Sequence, residues 1–417
     1  MRTNLGDLVY ELRKKNGLTL EELSELSGVN KSVLTMIEEG VTQRPSYGTV
    51  KKIAQVPGFP YSSLIGCFIE TVKSGDTLRF ILEDVVKKNY ESLVSTVAYK
   101  FLDSPRTDTF LSLDYLLQFT RNLDNSRIKM VLFDTIISYT RIRGIPFYLA
   151  KALFERYLAE RDDFTRLRET YHRGSELIHY SEHLSTVEYI TFFYRIGIHA
   201  YALREYDKCI YLCKKALDKD GFDNQLRAEA LSSIVASYLN IGDYILADLY
   251  LEEYTKSQYS DYKKNHAKAI ILTKSGNYDS AIETYKELLE SLDRERRITI
   301  LVDLIEVYLI AGRGDSIREL IESENRYLPS DSVNNPRRIE KMAKYHYLKG
   351  EFLISVESLE DGASNYLKSA TYYKKIGQSQ GVLQIIGKIL KSYKDCEEKL
   401  PLDIMEKIVQ ICDDIDK

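Results

Sequence analysis

Two groups of residues have types and spacings that chemistry uses. His179, Glu182 and His183 stand in the order H-x-x-E-H, the pattern of inverted zinc peptidases. α-Helical spacing there sets two imidazoles on one face and a carboxylate beside a metal-bound water. No third ligand accompanies them, so a pair of surface histidines between helical segments is the favoured reading. Cys209 and Cys213 sit at i and i+4, a spacing that suits a metal; they also fall on small-residue seam positions of a helix, which favours packing. The sequence has no phosphate loop, no G-x-S-x-G and no dinucleotide fingerprint. The chain therefore reads as a non-enzyme with no metal and no cofactor.

The elements that carry these residues are helical. Among 417 residues, 44% are hydrophobic and 29% charged, with only 8 prolines and 21 glycines. That balance allows a packed core and favours long helices over sheets and turns. Tyrosine is abundant at 32 and tryptophan absent, and a Tyr ring buries in a helix seam while its hydroxyl reaches a partner. The net charge of -4 excludes a uniformly basic coat; residues 1–54 hold eight Lys/Arg against seven Asp/Glu, so nucleic-acid contact needs a local patch. Cys67, Cys209, Cys213, Cys396 and Cys412 are odd in number and scattered, unlike a disulfide framework. The start, MRTNLGDLVYELRKK, is amphipathic without an apolar leader, and no stretch approaches the ~20 apolar residues that span a bilayer. A cytoplasmic protein without membrane partners is expected.

Leu5, Leu8, Val9 and Leu12 recur at helical spacing and predict a first helix ending near Asn16-Gly17. Thr19 with Glu22 forms a capping box that opens a second helix, closed by Gly28. Asn30 caps a third helix running to about Glu39, with Gly40 as its stop. The string LTLEELSELSGVNKSVLTMIEEG, followed by RPSYGTVKKIA, resembles the Xre-type repressor family along residues 5–54. That resemblance implies a third helix lying in the major groove. Carried over by position, Asn30, Lys31, Ser32 and Thr35 would face bases or phosphates, and Arg44 would clamp the backbone from the following loop. Leu20 and Met36 depart from the family, which often has Gln and a basic or polar residue there; fewer phosphate contacts mean weaker non-specific binding.

QVPGFPYSS (residues 55–63) concentrates two prolines and a glycine and predicts a linker. Beyond it the chain repeats a helix-turn-helix unit of about 34 residues. Residues 190–217 form the clearest unit, with Phe193, Ile196, Gly197 and Ala200, then Tyr206, Cys209, Cys213 and Ala216, on the seams. The turn glycines Gly242, Gly276 and Gly312 follow 34 and 36 residues apart. One unit cannot bury its own apolar face, so the units must stack. The array resembles the tetratricopeptide family, in which first helices line a concave face. Counting from the repeat frame, Tyr194, Arg195, Tyr201, Ser233, Asn240, His266, Asp303, Glu306 and Lys349 point inward, a set suited to an extended peptide's backbone and termini.

The expected fold is all-α: a helix-turn-helix domain at 1–56, a linker at 57–63, a tetratricopeptide-like α-solenoid at 64–377, and capping or dimerisation helices at 378–417. The combination resembles the RRNPP-type peptide quorum-sensing regulators. Residues 344–377, with YLNIGDY (238–244) and KKAL (214–217), look most like the arbitrium receptors of Bacillus temperate phages. That resemblance implies a homodimer that binds operator DNA and takes a short signalling peptide in its repeat groove, controlling lysis against lysogeny. The alternative is a repeat scaffold for a protein partner, with a helix-turn-helix that does not bind DNA.

Overall fold

The computed structural model describes residues 4–329, 335–356 and 358–413, apart from the side chain of Phe164, and its regular elements there are helices. Contacts divide the chain into two compact units, 1–203 and 204–417.

The first unit opens with α1 (Leu5–Lys15), α2 (Leu20–Ser27), α3 (Lys31–Glu38) and α4 (Tyr47–Ile53). Local chemistry sets their ends. The Asn4 side chain accepts from the Asp7 amide, Thr19 and Glu22 form the reciprocal capping box, and Asn30 caps α3. Gly28 closes α2 at φ +62°, a backbone region open to glycine at little cost. Leu23, Leu34, Ile37 and Val50, all but fully buried, form the small core between these helices.

The array begins with α5 (Tyr61–Ile69), α6 (Gly75–Lys87) and α7 (Glu91–Leu102). It continues through α8 (Thr109–Arg121), α9 (Ser126–Arg143) and α10 (Pro146–Glu160). The unit ends on α11 (Leu167–Ser175) and α12 (Thr186–Ala202). Residues expected as a linker hold buried Phe59 and Tyr61. Gly58 lies at φ +84°, and a Cβ there would come within 2.1 Å of Asn16 Oδ1, so this turn is pressed onto the end of α1.

In the second unit α13 (Tyr206–Leu217), α14 (Gln225–Ile241), α15 (Tyr244–Lys256) and α16 (Lys263–Lys274) pack each on the next. They are followed by α17 (Tyr278–Ser291), α18 (Arg294–Ile310), α19 (Gly314–Glu322) and α20 (Pro336–Ser355). The last three are α21 (Leu359–Lys375), α22 (Ser379–Asp395) and α23 (Leu402–Asp413). Contacts of α14 with α16, α16 with α18, and α18 with α20 make these first helices of each hairpin one layer. The hairpin turns fall at Gly242, Gly276 and Gly312, each at positive φ. A continuous core runs beneath, with Tyr285, Leu301, Ile305, Tyr308 and Tyr345 wholly buried and Phe352 nearly so. The fold is thus an N-terminal helix-turn-helix followed by a tetratricopeptide-like α-solenoid.

Helices α20 and α21 cross most closely. A Cβ on Gly350 would lie 3.0 Å from the Gly362 carbonyl, and one on Gly362 3.1 Å from the Gly350 carbonyl and 2.4 Å from Ile354 Cγ1. Cys209 and Cys213 are both fully buried seam residues of α13. The His179–His183 segment forms a 3-10 helix (Glu176–His183), so α-helical i, i+4 alignment of the two imidazoles is not present. Among the described residues no cluster of three or more His, Cys, Asp or Glu could hold a metal. None of the described helices is long and apolar enough to cross a membrane.

Candidate nucleic-acid interface

Helix α3 is fixed from behind by an ion pair. Arg13 on α1 donates from Nε to Glu38 Oε1 at 2.7 Å and from Nη2 to Oε2 at 2.6 Å. Its Nη1 reaches the Leu18 carbonyl at 3.1 Å, so one guanidinium joins α1, the α1–α2 turn and α3. Both side chains are nearly buried, at 7% and 6% exposure, and the bidentate fork specifies orientation as well as attraction. The Glu38 carboxylate in turn holds the Arg13 guanidinium above its ordinary pKa, against burial, which acts to lower it.

With α3 anchored by Leu34, Ile37 and Glu38, its opposite side is open. Asn30, Lys31 and Ser32 are exposed and Thr35 is half-buried. Arg44 is exposed in the loop before α4. Several of their polar atoms are engaged: Asn30 Oδ1 accepts the Ser32 amide at 2.9 Å, Thr35 Oγ1 donates to the Lys31 carbonyl at 3.0 Å, and the Lys31 ammonium pairs with Glu21. The Glu21 carboxylate is held below its usual range chiefly by that Lys31 hydrogen bond.

Sequence reasoning missed what carries this head. Asp84 on α6 accepts the Tyr47 hydroxyl at 2.7 Å, the Tyr61 hydroxyl at 2.8 Å and the Lys51 ammonium at 2.7 Å. The Tyr47 and Tyr61 hydroxyls lie 3.0 Å apart, and the Tyr61 ring stacks on Tyr90 with centroids 4.5 Å apart. Burial acts to raise the Asp84 pKa, but Lys51, both tyrosines and Lys88 together hold it down at about 2. Helices α4, α5 and α6 are thereby tied at one carboxylate, and the Tyr61 ring extends the contact to Tyr90, the residue before α7. Locally the sequence offers Asp84 only Lys88, one turn on, because its hydrogen-bond partners lie 23 to 37 residues away.

The residues expected to line a peptide groove divide on inspection. In the first unit Tyr194 is fully buried, while Arg195 and Tyr201 are half-buried. In the second unit Ser233 is buried and donates to the Glu229 carbonyl of its own helix at 2.9 Å. Tyr194 and Ser233 are corrections to the expected lining: a residue one step round a helix, about 100°, passes from the open face to the seam. Asn240 is exposed on α14. His266, Asp303 and Glu306 form a polar row across α16 and α18, with His266 Nε2 2.7 Å from Asp303 Oδ2. Lys349 is instead held by Glu324 at 2.6 Å, alongside the Tyr345 hydroxyl.

Two residues of that row escaped the sequence reading. Lys341 donates to Asp303 Oδ1 at 3.1 Å and Lys344 pairs with Glu306 at 2.7 Å. The Asp303–Lys341 separation is 38 residues and the His266–Asp303 separation 37. The repeat offset was therefore the signal that could have found them. Burial pushes the Asp303 carboxyl up, and Lys341 and His266 overcome it to hold the pKa at about 2.

A capped, exposed helix set against a tightly turned second helix is the arrangement of a helix-turn-helix DNA-binding domain. Residues 9–64 match the Helix-turn-helix family. SinR of Bacillus licheniformis, an HTH-type transcriptional regulator, is 32% identical over 100 residues, 24% of this chain and 89% of SinR. RghRB of Bacillus subtilis (strain 168), named as an HTH-type transcriptional regulator, is 35% identical over 60 residues, 14% of this chain; the chain spans 43% of RghRB's length. Through its N-terminal segment the chain belongs to the helix-turn-helix family of transcriptional regulators. Two solved structures resemble it at 14% identity. One is a tetratricopeptide repeat protein from Parabacteroides merdae ATCC 43184, with TM-score 0.48 over 66% of this chain and 99% of that one. The other is PlcR of Bacillus thuringiensis in complex with the peptide PapR7 and DNA, with TM-score 0.24 over 94% of this chain and 99% of PlcR.

Proposed function

We propose that the chain is a peptide-responsive transcription regulator: a homodimer that binds operator DNA through α2 and α3, with affinity altered by a short signalling peptide held on the repeat helices. The observation that carries the DNA-binding part is the exposed face of α3, fixed by the buried Arg13–Glu38 fork and opened by the Asn30 cap. Asn30, Lys31, Ser32, Thr35 and Arg44 are its contact residues. Membership in the helix-turn-helix regulators supports this assignment.

For the peptide, the polar row of the second unit supplies both signs of charge, with Asp303 and Glu306 beside His266, Lys341 and Lys344. Exposed Asn240 adds amide hydrogen bonding, and Arg195 and Tyr201 are the corresponding positions of the first unit. A ligand shifts the regulator only by the difference in its affinity for two states; breaking and remaking the Asp303 and Glu306 pairs is one source of that difference. The repeat region, 64–377, is the sensing part in this reading. Exposed Leu383, Leu390, Leu402, Met405 and Val409 on α22 and α23 supply the apolar surface for the dimer. Control of phage lysis against lysogeny, in the manner of arbitrium receptors, is the biological role proposed from the sequence resemblance.

The test is a gel shift with DNA flanking the coding region, with and without a synthetic peptide from a neighbouring small reading frame. Retardation altered by the peptide supports the whole proposal, and retardation indifferent to it removes the peptide. Absence of retardation at low salt, with Lys31→Ala behaving alike, leaves a repeat scaffold for a protein partner.

A further inference from the structure

The open face of α3 is poor in hydrogen-bonding groups. Leu34 and Ile37 are buried, so at 100° per residue the face opposite them centres on Ser32 and Met36, one turn apart, with Thr35 beside them. Met36 is 42% exposed and Val33, on the flank, 37%. Thr35 Oγ1 donates its proton to the Lys31 carbonyl, so what Thr35 offers outward is a methyl and an acceptor oxygen, with no donor. Asn30 Oδ1 is engaged in capping, and the Lys31 ammonium is paired with Glu21. No Arg or Gln stands on α3, so the groups there able to read guanine or adenine with two hydrogen bonds are Lys31 and the Asn30 amide at its first turn, away from Met36.

In the major groove the apolar group a base pair presents is the thymine 5-methyl. Resting on the DNA-binding reading above, we propose that Met36, with the Thr35 methyl, reads sequence through apolar contact with thymine methyls. Ser32 and the Asn30 amide supply the remaining, weaker polar discrimination. The thioether has no N–H or O–H to satisfy and adapts to the position of the methyl. Specificity then rests on excluding water from a methyl group, and a cytosine, which lacks that methyl, is rejected by loss of the contact.

The experiment selects duplexes from a random library with the full-length protein, then replaces each thymine of the enriched site singly by uracil, which removes the methyl and keeps every hydrogen-bonding group. The wild type is expected to lose affinity about fourfold at one or two positions per half-site, the transfer value of one buried methyl. Met36→Ala is expected to bind the thymine duplex less tightly by a similar factor and to become indifferent to uracil at one of those positions. Its dependence on salt should stay unchanged, since no phosphate contact is removed. Met36→Gln, which can grip adenine with two hydrogen bonds, should enrich adenine there. Met36 is exposed, so these variants leave the core intact. An enriched site indifferent to uracil throughout, or Met36→Ala that keeps the wild-type uracil sensitivity, overturns methyl readout while leaving DNA binding standing. Failure to enrich any sequence overturns both.

Discussion

Replacing Arg13 by Ala removes two charge-assisted hydrogen bonds to Glu38 and one to the Leu18 carbonyl. Glu38, at 6% side-chain exposure, then keeps a carboxylate with its partner gone. Breaking one half of a buried pair costs about 3–5 kcal/mol. This fork sits between α1 and α3, so the loss falls on the small helix-turn-helix core. Hydrogen exchange on the full-length protein localises the effect. At 1.36 kcal/mol per tenfold, amides of α1–α3 should lose roughly two to three and a half orders of magnitude of protection. Amides of α14–α21 should keep theirs. The companion variant, Arg13→Met with Glu38→Leu, removes both charges and refills the space, and should recover most of the protection. A loss below tenfold in Arg13→Ala would refute the reasoning. So would a double variant as unprotected as the single one, since then the uncompensated carboxylate is not the source of the cost.

Asp84→Asn keeps the shape of the α4–α5–α6 junction but weakens three hydrogen bonds to a charge, costing about 1–3 kcal/mol, read as a lower melting temperature. The folded pKa of Asp84 lies below its unfolded value, so its contribution is complete above about pH 4 and is lost as pH falls towards about 2. Acid titration of stability should therefore be flatter across that window in Asp84→Asn, and an unchanged profile counts against the junction. Gly362→Ala presses a methyl into Ile354 and the Gly350 carbonyl, and overpacking of this kind costs about 1–3 kcal/mol in thermal unfolding; an unshifted melting temperature would mean the two helices part freely. Leu402→Arg with Met405→Arg, on the exposed face of α23, should convert the proposed dimer to monomer in sedimentation, and a persisting dimer places its interface elsewhere.

The helix-turn-helix was legible because its signals are local. Thr19 with Glu22, Gly28 and Asn30 each fix a helix end within four residues, and the buried stripe of Leu23, Leu34 and Ile37 follows from helical spacing. The hairpin turns were legible for the same reason, since Gly242, Gly276 and Gly312 carry positive φ at a regular interval. Side-chain direction along the repeats was less so. Tyr194 and Ser233 were expected on the open face and are buried, because the repeat frame must be known to a single residue to tell lining from seam. Lys349 shares α20 with Lys341 and Lys344 yet pairs with Glu324, in the short 3-10 turn after α19. The Asp84 junction was beyond reach, since its three hydrogen-bond donors converge only when α4, α5 and α6 are already in place.

That junction changes what kind of reader the N-terminal domain is. A head on a slack tether searches a volume, and two such heads tolerate many separations between the sites they read. Here the residues that look like a tether are packed into the body: Phe59 and Tyr61 are buried, Gly58 is pressed against Asn16, and Asp84 gathers both sides of the joint. The head moves with the helices of its own unit that it is packed on. If the chain pairs as proposed, the separation between two copies of α3 is then governed by the helices that each head is packed on, α5 and α6, and not by the reach of a free linker.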